Sequence, residues 1–360
     1  MDDYEKLRQM LHTNPAGAPQ SETFREILGI LFTPDEVRVA LGMAFVPRSI
    51  EKIADASGVP AQQVAQHCES MADKGIVFSR EKNGVMGYAL LPTIPGLFEF
   101  PFMTGGGTPV HERLARLWEK YHREALGNEF AGSSTPLMRV IPIEKTIQTR
   151  NEIVPYEILS GMMESAKTFA LAQCACRTSK AACDAPRDVC LIFDSAARFL
   201  IERKLAREIT SQDAAQVLLR AEEAGLVHTC NNSQDRLTVI CNCCPCCCTV
   251  IRGLTELGNP NAFARGRWHA QVDEGLCTGC ATCQDERCPV EAIEVQDDVA
   301  KVNPQRCIGC GLCVSTCPSE ALSMVPRQDA RVPPATVTEM GMLVLQEKGR
   351  LQDYINLNQP

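Results

Sequence analysis

Cysteine is the residue whose type and spacing carry chemistry in this chain. Eight of its 20 cysteines form one pattern written twice. The first pass reads Cys277-Thr-Gly-Cys280-Ala-Thr-Cys283, then four residues, then Cys288-Pro289. The second reads Cys307-Ile-Gly-Cys310-Gly-Leu-Cys313, then three residues, then Cys317-Pro318. Three of the four cysteine offsets are 30 residues and the last is 29, and Ala292-Ile293 recurs as Ala321-Leu322, so the segment is an internal duplication. A C-x2-C-x2-C loop sets three thiolates around a single metal-sulfur cube and leaves the fourth ligand to another part of the chain.

In the bacterial run that closes with Cys-Pro, the trailing cysteine ligates the other cluster. On that pattern Cys277, Cys280, Cys283 and Cys317 are expected to hold one 4Fe-4S cluster, and Cys307, Cys310, Cys313 and Cys288 a second. A proline's fixed φ and missing N–H suit the redirection of the chain just after each crossing ligand. Gly279, Gly309 and Gly311 are expected to let backbone approach the clusters, where sulfur accepts amide hydrogen bonds. Residues about 270 to 327 resemble the two-cluster bacterial-type ferredoxins, a pseudo-symmetric fold of two hairpins and two short helices. The resemblance covers about a sixth of the chain and implies single-electron transfer. One departure stands out: four residues precede Cys288-Pro289 where the bacterial pattern has three, which is expected to loosen that loop.

A second constellation lies upstream. Cys174, Cys176, Cys183 and Cys190 are followed by Cys230 and by Cys241-Asn-Cys243-Cys244-Pro-Cys246-Cys247-Cys248. With His228 this region holds eleven thiols and one imidazole, enough for one or two further centres. Six cysteines in eight residues cannot all serve one site, because neighbours such as Cys243 and Cys244 on an extended chain point to opposite faces unless the turn at Pro245 changes that. Three readings stay open here: a third iron-sulfur cluster, a structural zinc site of four thiolates, or a metal-free dithiol relay. Arg177, beside Cys176, either lowers a thiol pKa or hydrogen-bonds a cluster, or else forms a surface ion pair. His228 begins an apolar strand and reads as a packed core histidine rather than a ligand.

The elements that position these residues read as α+β. Thr33 caps a helix opening at Pro34, a second short helix closes at Gly58, and a third runs from about Pro60 to Lys74. Ile76-Val77-Phe78, a turn at Asn83-Gly84 and Tyr88-Ala89-Leu90-Leu91 complete a winged-helix-like domain, assigned to residues 1–104. A helical, cysteine-rich metal-binding lobe is expected over 105–269, with a helix at Val110 to Ala125, a strand at Met138 to Ile143, a helix at Pro155 to Ala172 and two more at Asp194 to Arg207 and Ser211 to Ala224. The ferredoxin-like unit follows at 270–327, and a helical tail at 328–360 packs either on the body or on a partner.

Composition narrows the function classes. The net charge is −8, and Asp35 to Pro92 carries seven acidic and six basic residues, so nucleic acid is disfavoured as a partner. No apolar run approaches the roughly 20 residues of a spanning helix. The polar first 20 residues carry no export signal, which places the protein in the cytoplasm, where dense cysteine usage indicates metal rather than disulfide. There is no P-loop, no dinucleotide glycine fingerprint and no catalytic triad that the spacing nominates. The expectation is an iron-sulfur electron-transfer protein or subunit serving a partner oxidoreductase of anaerobic metabolism. The alternatives are a redox-responsive winged-helix transcription regulator and an oxidoreductase whose extra iron-sulfur centre binds substrate.

Overall fold

A computed structural model describes residues 2–147 and 155–359; residues 148–154 of the expected middle lobe lie outside the described residues. Five helices open the chain: Asp3–His12, Glu22–Leu31, Pro34–Ala40, Ile50–Ser57 and Ala61–Asp73. Thr33 and Glu36 form a reciprocal cap at the third of these, satisfying backbone donors that a helix start leaves open. Glu36 is buried and also receives Lys74 Nζ and Ser70 Oγ at 2.7 and 3.0 Å, tying the third helix to the fifth. Strands β1 (Val77–Lys82) and β2 (Val85–Leu90) pair antiparallel around Asn83-Gly84, both in the left-handed region that such a tight turn requires.

The middle of the chain is built on a sheet, which departs from the helical lobe expected. Strands β3 (Met138–Val140), β4 (Phe169–Ala172), β5 (Cys190–Phe193), β6 (Arg207–Ile209), β7 (Val227–Asn231) and β8 (Val239–Cys243) form one antiparallel sheet in the order β3-β7-β8-β5-β4-β6. The segment expected as a helix from Pro155 to Ala172 holds only a short helix, Leu159–Met163, before β4. Local apolar pattern is ambiguous for so short a run; pairing of β4 with β5 on one edge and β6 on the other settles it as strand. Helices Asp194–Glu202 and Ser211–Glu223 stand beside the sheet, the second opened by a Thr210–Asp213 cap.

Strand β9 (Trp268–Val272) pairs with β12 (Leu322–Pro326), and β10 (Ile293–Gln296) with β11 (Val299–Val302), giving the last lobe a closing ladder and a hairpin. It joins the central sheet through backbone bonds from Ile143 N–H to Cys310 O (3.0 Å) and Gly266 N–H to Ile308 O (2.9 Å). The final helices, Val337–Glu347 and Leu351–Leu357, fold back onto the amino-terminal part. Lys348 Nζ donates to Pro15 O and Glu129 O, Arg48 donates to Leu357 O, and Phe45 stacks on Tyr354. No helix among the described residues is long and apolar enough to cross a membrane.

Candidate metal centres

Four groups of cysteines emerge from this frame. In the last lobe, one cavity is lined by Cys277, Cys280, Cys283 and Cys317 together with Cys313, and another by Cys288, Cys307, Cys310 and Cys313. Each cavity therefore draws a cysteine from the other half of the duplication. The extra residue before Cys288 does not detach it: Cys283–Arg287 forms a π-type turn that absorbs one residue and returns Cys288 to its cavity. Two of these sulfurs already accept backbone amides, Cys288 from Ala292 at 3.1 Å and Cys277 from Ala300 at 3.4 Å. Such donors stabilise sulfur-borne charge and help set a cluster's potential.

The glycines of the loops also meet a packing demand. Gly279, Gly309 and Gly311 all have positive φ, and a Cβ on them would meet Asp298 O at 2.7 Å, Trp268 O at 2.3 Å and Thr146 Oγ1 at 2.7 Å. Their bareness lets the cysteine loops press against neighbouring protein, while Gly279 and Gly311 also line the two cavities.

The two ends of this lobe differ in exposure. Cys280 is exposed, whereas Cys310 and Cys313 are buried, and burial pushes the Cys310 thiol up to about 12. A thiol so raised becomes an anion only when a metal displaces its proton.

The eleven upstream cysteines separate into two sets and one outlier. Cys174, Cys176, Cys248, Cys243, Cys241 and Cys190 follow one another as a chain of side-chain contacts. They arrive from five places: the turn after β4, the helix Ala175–Lys180, the start of β5, two alternate positions of β8, and the residue capping helix Thr249–Thr255. Cys241 and Cys243 share a face because strand side chains alternate with a period of two. The other thiols raise Cys174 and Cys241 in pKa and burial adds to it, so this pocket is unfavourable for bare thiolates. It abuts the second ferredoxin-lobe cavity: Cys243, Cys248, Ile251, Ile308, Cys310 and Leu312 belong to one apolar core, with Cys241, Cys288 and Cys307 packed on it.

Cys183, Cys244, Cys246 and Cys247 form the second set, with all four sulfurs within 4.8 Å of one another. Pro245 opens the turn at 245–247, between Cys244 and Cys246 of this set. Cys230 stands apart on β7, its thiol donating to Asn231 O, and Cys68 lies in the amino-terminal core. His228 is buried, with Nδ1 2.6 Å from Asn242 Oδ1 on the neighbouring strand. Arg177 is the residue whose role sequence left open, and it is no surface ion pair: it is wholly buried beside Cys244.

A cavity outside the thiol sets borders Cys247 and is lined by Glu119, His122, Lys180, Thr249 and Arg252 among others. Glu119 links Arg252 and Lys180 there, at 2.7 and 2.6 Å. His122 is buried with no partner for either ring nitrogen among the described residues, and desolvation depresses its pKa to about 4, with nearby Arg252 acting in the same direction. The unfolded chain takes up this proton near pH 6.5, before the folded one. Stability is thus fully present above about 6.5 and declines as pH falls toward about 4, by up to roughly 3 kcal/mol from this group. Urea midpoints measured between pH 7 and pH 4.5 are expected to fall less steeply in His122→Phe than in the parent chain.

Comparison with known proteins bears on the last lobe alone. Residues 269–318 match the family model of the 4Fe-4S dicluster domain. One component of an ion-translocating oxidoreductase complex from Methanosarcina acetivorans is 40% identical over 60 residues, 17% of this chain and 22% of the relative. One component of a Na(+)-translocating ferredoxin:NAD(+) oxidoreductase complex from Acetobacterium woodii is 41% identical over 51 residues, 14% of this chain and 15% of the relative. An uncharacterised ferredoxin of Methanocaldococcus jannaschii is 38% identical over 58 residues, 15% of this chain but 92% of the relative. The chain thus spans 22% and 15% of the length of these two complex components. No solved structure matches it.

Proposed function

Because the chain belongs to the ferredoxin family through residues 269–318 and carries 4Fe-4S cofactors for electron transfer, we propose that it serves a partner oxidoreductase of anaerobic metabolism as an electron carrier with three iron-sulfur centres. Bound 4Fe-4S clusters supply single-electron chemistry at modest structural cost. In this reading Cys277, Cys280, Cys283 and Cys317 hold one cluster and Cys288, Cys307, Cys310 and Cys313 the second. The pocket of Cys174, Cys176, Cys190, Cys241, Cys243 and Cys248 offers the four thiolates that a third requires. The observation that carries the proposal is the shared apolar core, to which Cys243 and Cys248 of the inner pocket and Cys310 and Ile308 of the ferredoxin lobe all belong.

The residues also give the lobe a polarity. Exposed Cys280 marks the face that a redox partner reaches, while the buried wall at Cys310 faces the inner thiol pocket. A winged-helix-like module at residues 1–104 is read here as a scaffold. The helix that would read DNA, Ala61–Asp73, has Glu69 and Asp73 engaged by Arg203 at 2.7 and 2.8 Å, and the lysine that follows it pairs with Glu36. Its acidic residues and its one neighbouring cation are thereby committed within the chain.

Anaerobic iron and acid-labile sulfide analysis tests the proposal, with titration by titanium(III) citrate followed by methyl viologen as acceptor. About twelve irons and twelve sulfides per chain, and three electrons taken up and returned, are expected. Eight irons and two electrons would remove the inner centre; a visible spectrum that titanium(III) leaves unbleached would overturn the carrier role.

A further inference from the structure

The four cysteines outside the inner pocket have a spacing of their own. Cys183 Sγ lies 3.8 Å from Cys244 Sγ and 3.9 Å from Cys247 Sγ, and Cys246 Sγ lies 3.8 Å from Cys247 Sγ. A zinc–thiolate bond of about 2.3 Å, placed at the centre of a tetrahedron, puts its ligand sulfurs about 3.8 Å apart. A cube of four irons and four sulfides stands between its cysteines and holds them wider than that. The chain carries its own comparison: among the described residues, no three of the eight ferredoxin-lobe cysteines have sulfurs all within 4.8 Å of one another, and this set of four does. A disulfide needs about 2.05 Å between sulfurs, so the separations fit neither a bridge nor a cube.

A second observation concerns charge. Arg177 is 0% exposed. Its Nη1 donates to Asn242 O at 2.9 Å and to Cys244 Sγ at 3.6 Å, while Nε and Nη2 have no partner among the described residues. No carboxylate among the described residues pairs with it. A guanidinium stays protonated inside a protein, and a buried charge without a counter-charge costs several kcal/mol. Four neutral thiols put no anion on its Cys244 side, where Nη1 points. Four thiolates around a divalent ion carry a net charge of about −2 and supply the missing anion beside Nη1.

We propose that Cys183, Cys244, Cys246 and Cys247 hold a single tetrahedral divalent ion of zinc's class, in a closed four-thiolate site distinct from the iron-sulfur pocket. The site has structural work to do. Residues 182–189 form neither helix nor strand, and Cys183 is the residue of that span placed to fasten it to the turn at 244–247. Cys243 and Cys248 on either side of that turn are held by their own elements, β8 and the cap of the helix Thr249–Thr255, so the ion fastens the turn without joining the inner pocket. Loading displaces thiol protons into solvent, and no electron changes hands.

Zinc, iron and sulfide are measured together on the full-length protein purified anaerobically, with zinc-edge X-ray absorption on the same sample. One zinc per chain with four sulfur neighbours at about 2.3 Å is expected. Cys183→Ser and Cys246→Ser are each expected to lower zinc more than tenfold and leave iron and sulfide unchanged. One sulfide-free iron lost by the same two variants would uphold the mononuclear site and assign iron to it. Loss of about four irons with four sulfides in either variant, or a parent chain whose zinc has nitrogen or oxygen neighbours, would overturn the proposal. An iron count of eight would remove the inner cluster proposed above and leave the zinc result standing, so the two readings fail separately.

Discussion

Replacing Cys288 by serine is expected to remove about four irons and four sulfides per chain while the remaining clusters stay reducible. The expectation rests on the crossing of ligands between the two halves. Cys288 lies in the first half of the duplication, yet it lines the cavity of Cys307, Cys310 and Cys313. Its sulfur accepts the Ala292 amide, so the side chain is already aimed and held. A serine hydroxyl is a harder and less acidic ligand than a thiol and binds iron in a cluster poorly. Anaerobic iron and sulfide analysis with EPR of the dithionite-reduced protein reads the outcome, and Cys230→Ser, on β7 outside both ferredoxin-lobe cavities, is the control that should change nothing. An unchanged iron count in Cys288→Ser would mean that the π-type turn at Cys283–Arg287 returns the residue to the cavity wall without making it a ligand.

Gly309→Ala is expected to be the most damaging single methyl in the last lobe. Gly309 has φ +80, and an added Cβ would stand 2.3 Å from Trp268 O, a backbone atom that cannot swing aside. The left-handed backbone alone costs an alanine roughly 1–2 kcal/mol. Separating the clash must also shift β9, whose Trp268 is wholly buried and paired with Pro326 of β12. A total near 3 kcal/mol or more is expected, at the upper end for point substitutions. Because Cys310 follows directly, the loss should appear both as a lower denaturation midpoint and as slower cluster loading. Gly349→Ala, also at positive φ but with open space around its Cβ, isolates the backbone cost and should lose only about 1 kcal/mol. Equal effects at the two positions would show that the Trp268 carbonyl yields.

The ferredoxin lobe was legible in the sequence because its information is local. Three cysteines on one short loop and a trailing Cys-Pro need no knowledge of the rest of the chain, and the duplication states the pattern twice. The hairpin at Asn83-Gly84 and the capped helix after Thr33 were readable for the same reason, since turn and cap chemistry reside in adjacent residues. The central lobe was not. The residues Phe169-Ala-Leu-Ala172 carry no alternation and sit comfortably in a helix pattern; only partners on both edges, β5 and β6, make them a strand.

The run from Cys241 to Cys248 shows the same limit at the level of chemistry. Its sequence determined that thiols are too many for one site and left open whether a turn at Pro245 redirects them. Tertiary structure alone decided which thiol goes where, because the remaining members of each set come from elsewhere. Cys174, Cys176 and Cys190 approach across the sheet to meet Cys241, Cys243 and Cys248, while Cys183 descends from an irregular segment to meet Cys244, Cys246 and Cys247. Arg177 gave no local sign of burial, having an ordinary helix position after Cys176. Its place between the two thiol sets follows from the reach of its side chain to Asn242 O on β8, and sulfur-to-sulfur distance, which separates a single-ion site from a cubane site, exists only once separate parts of the chain have been brought to the same point.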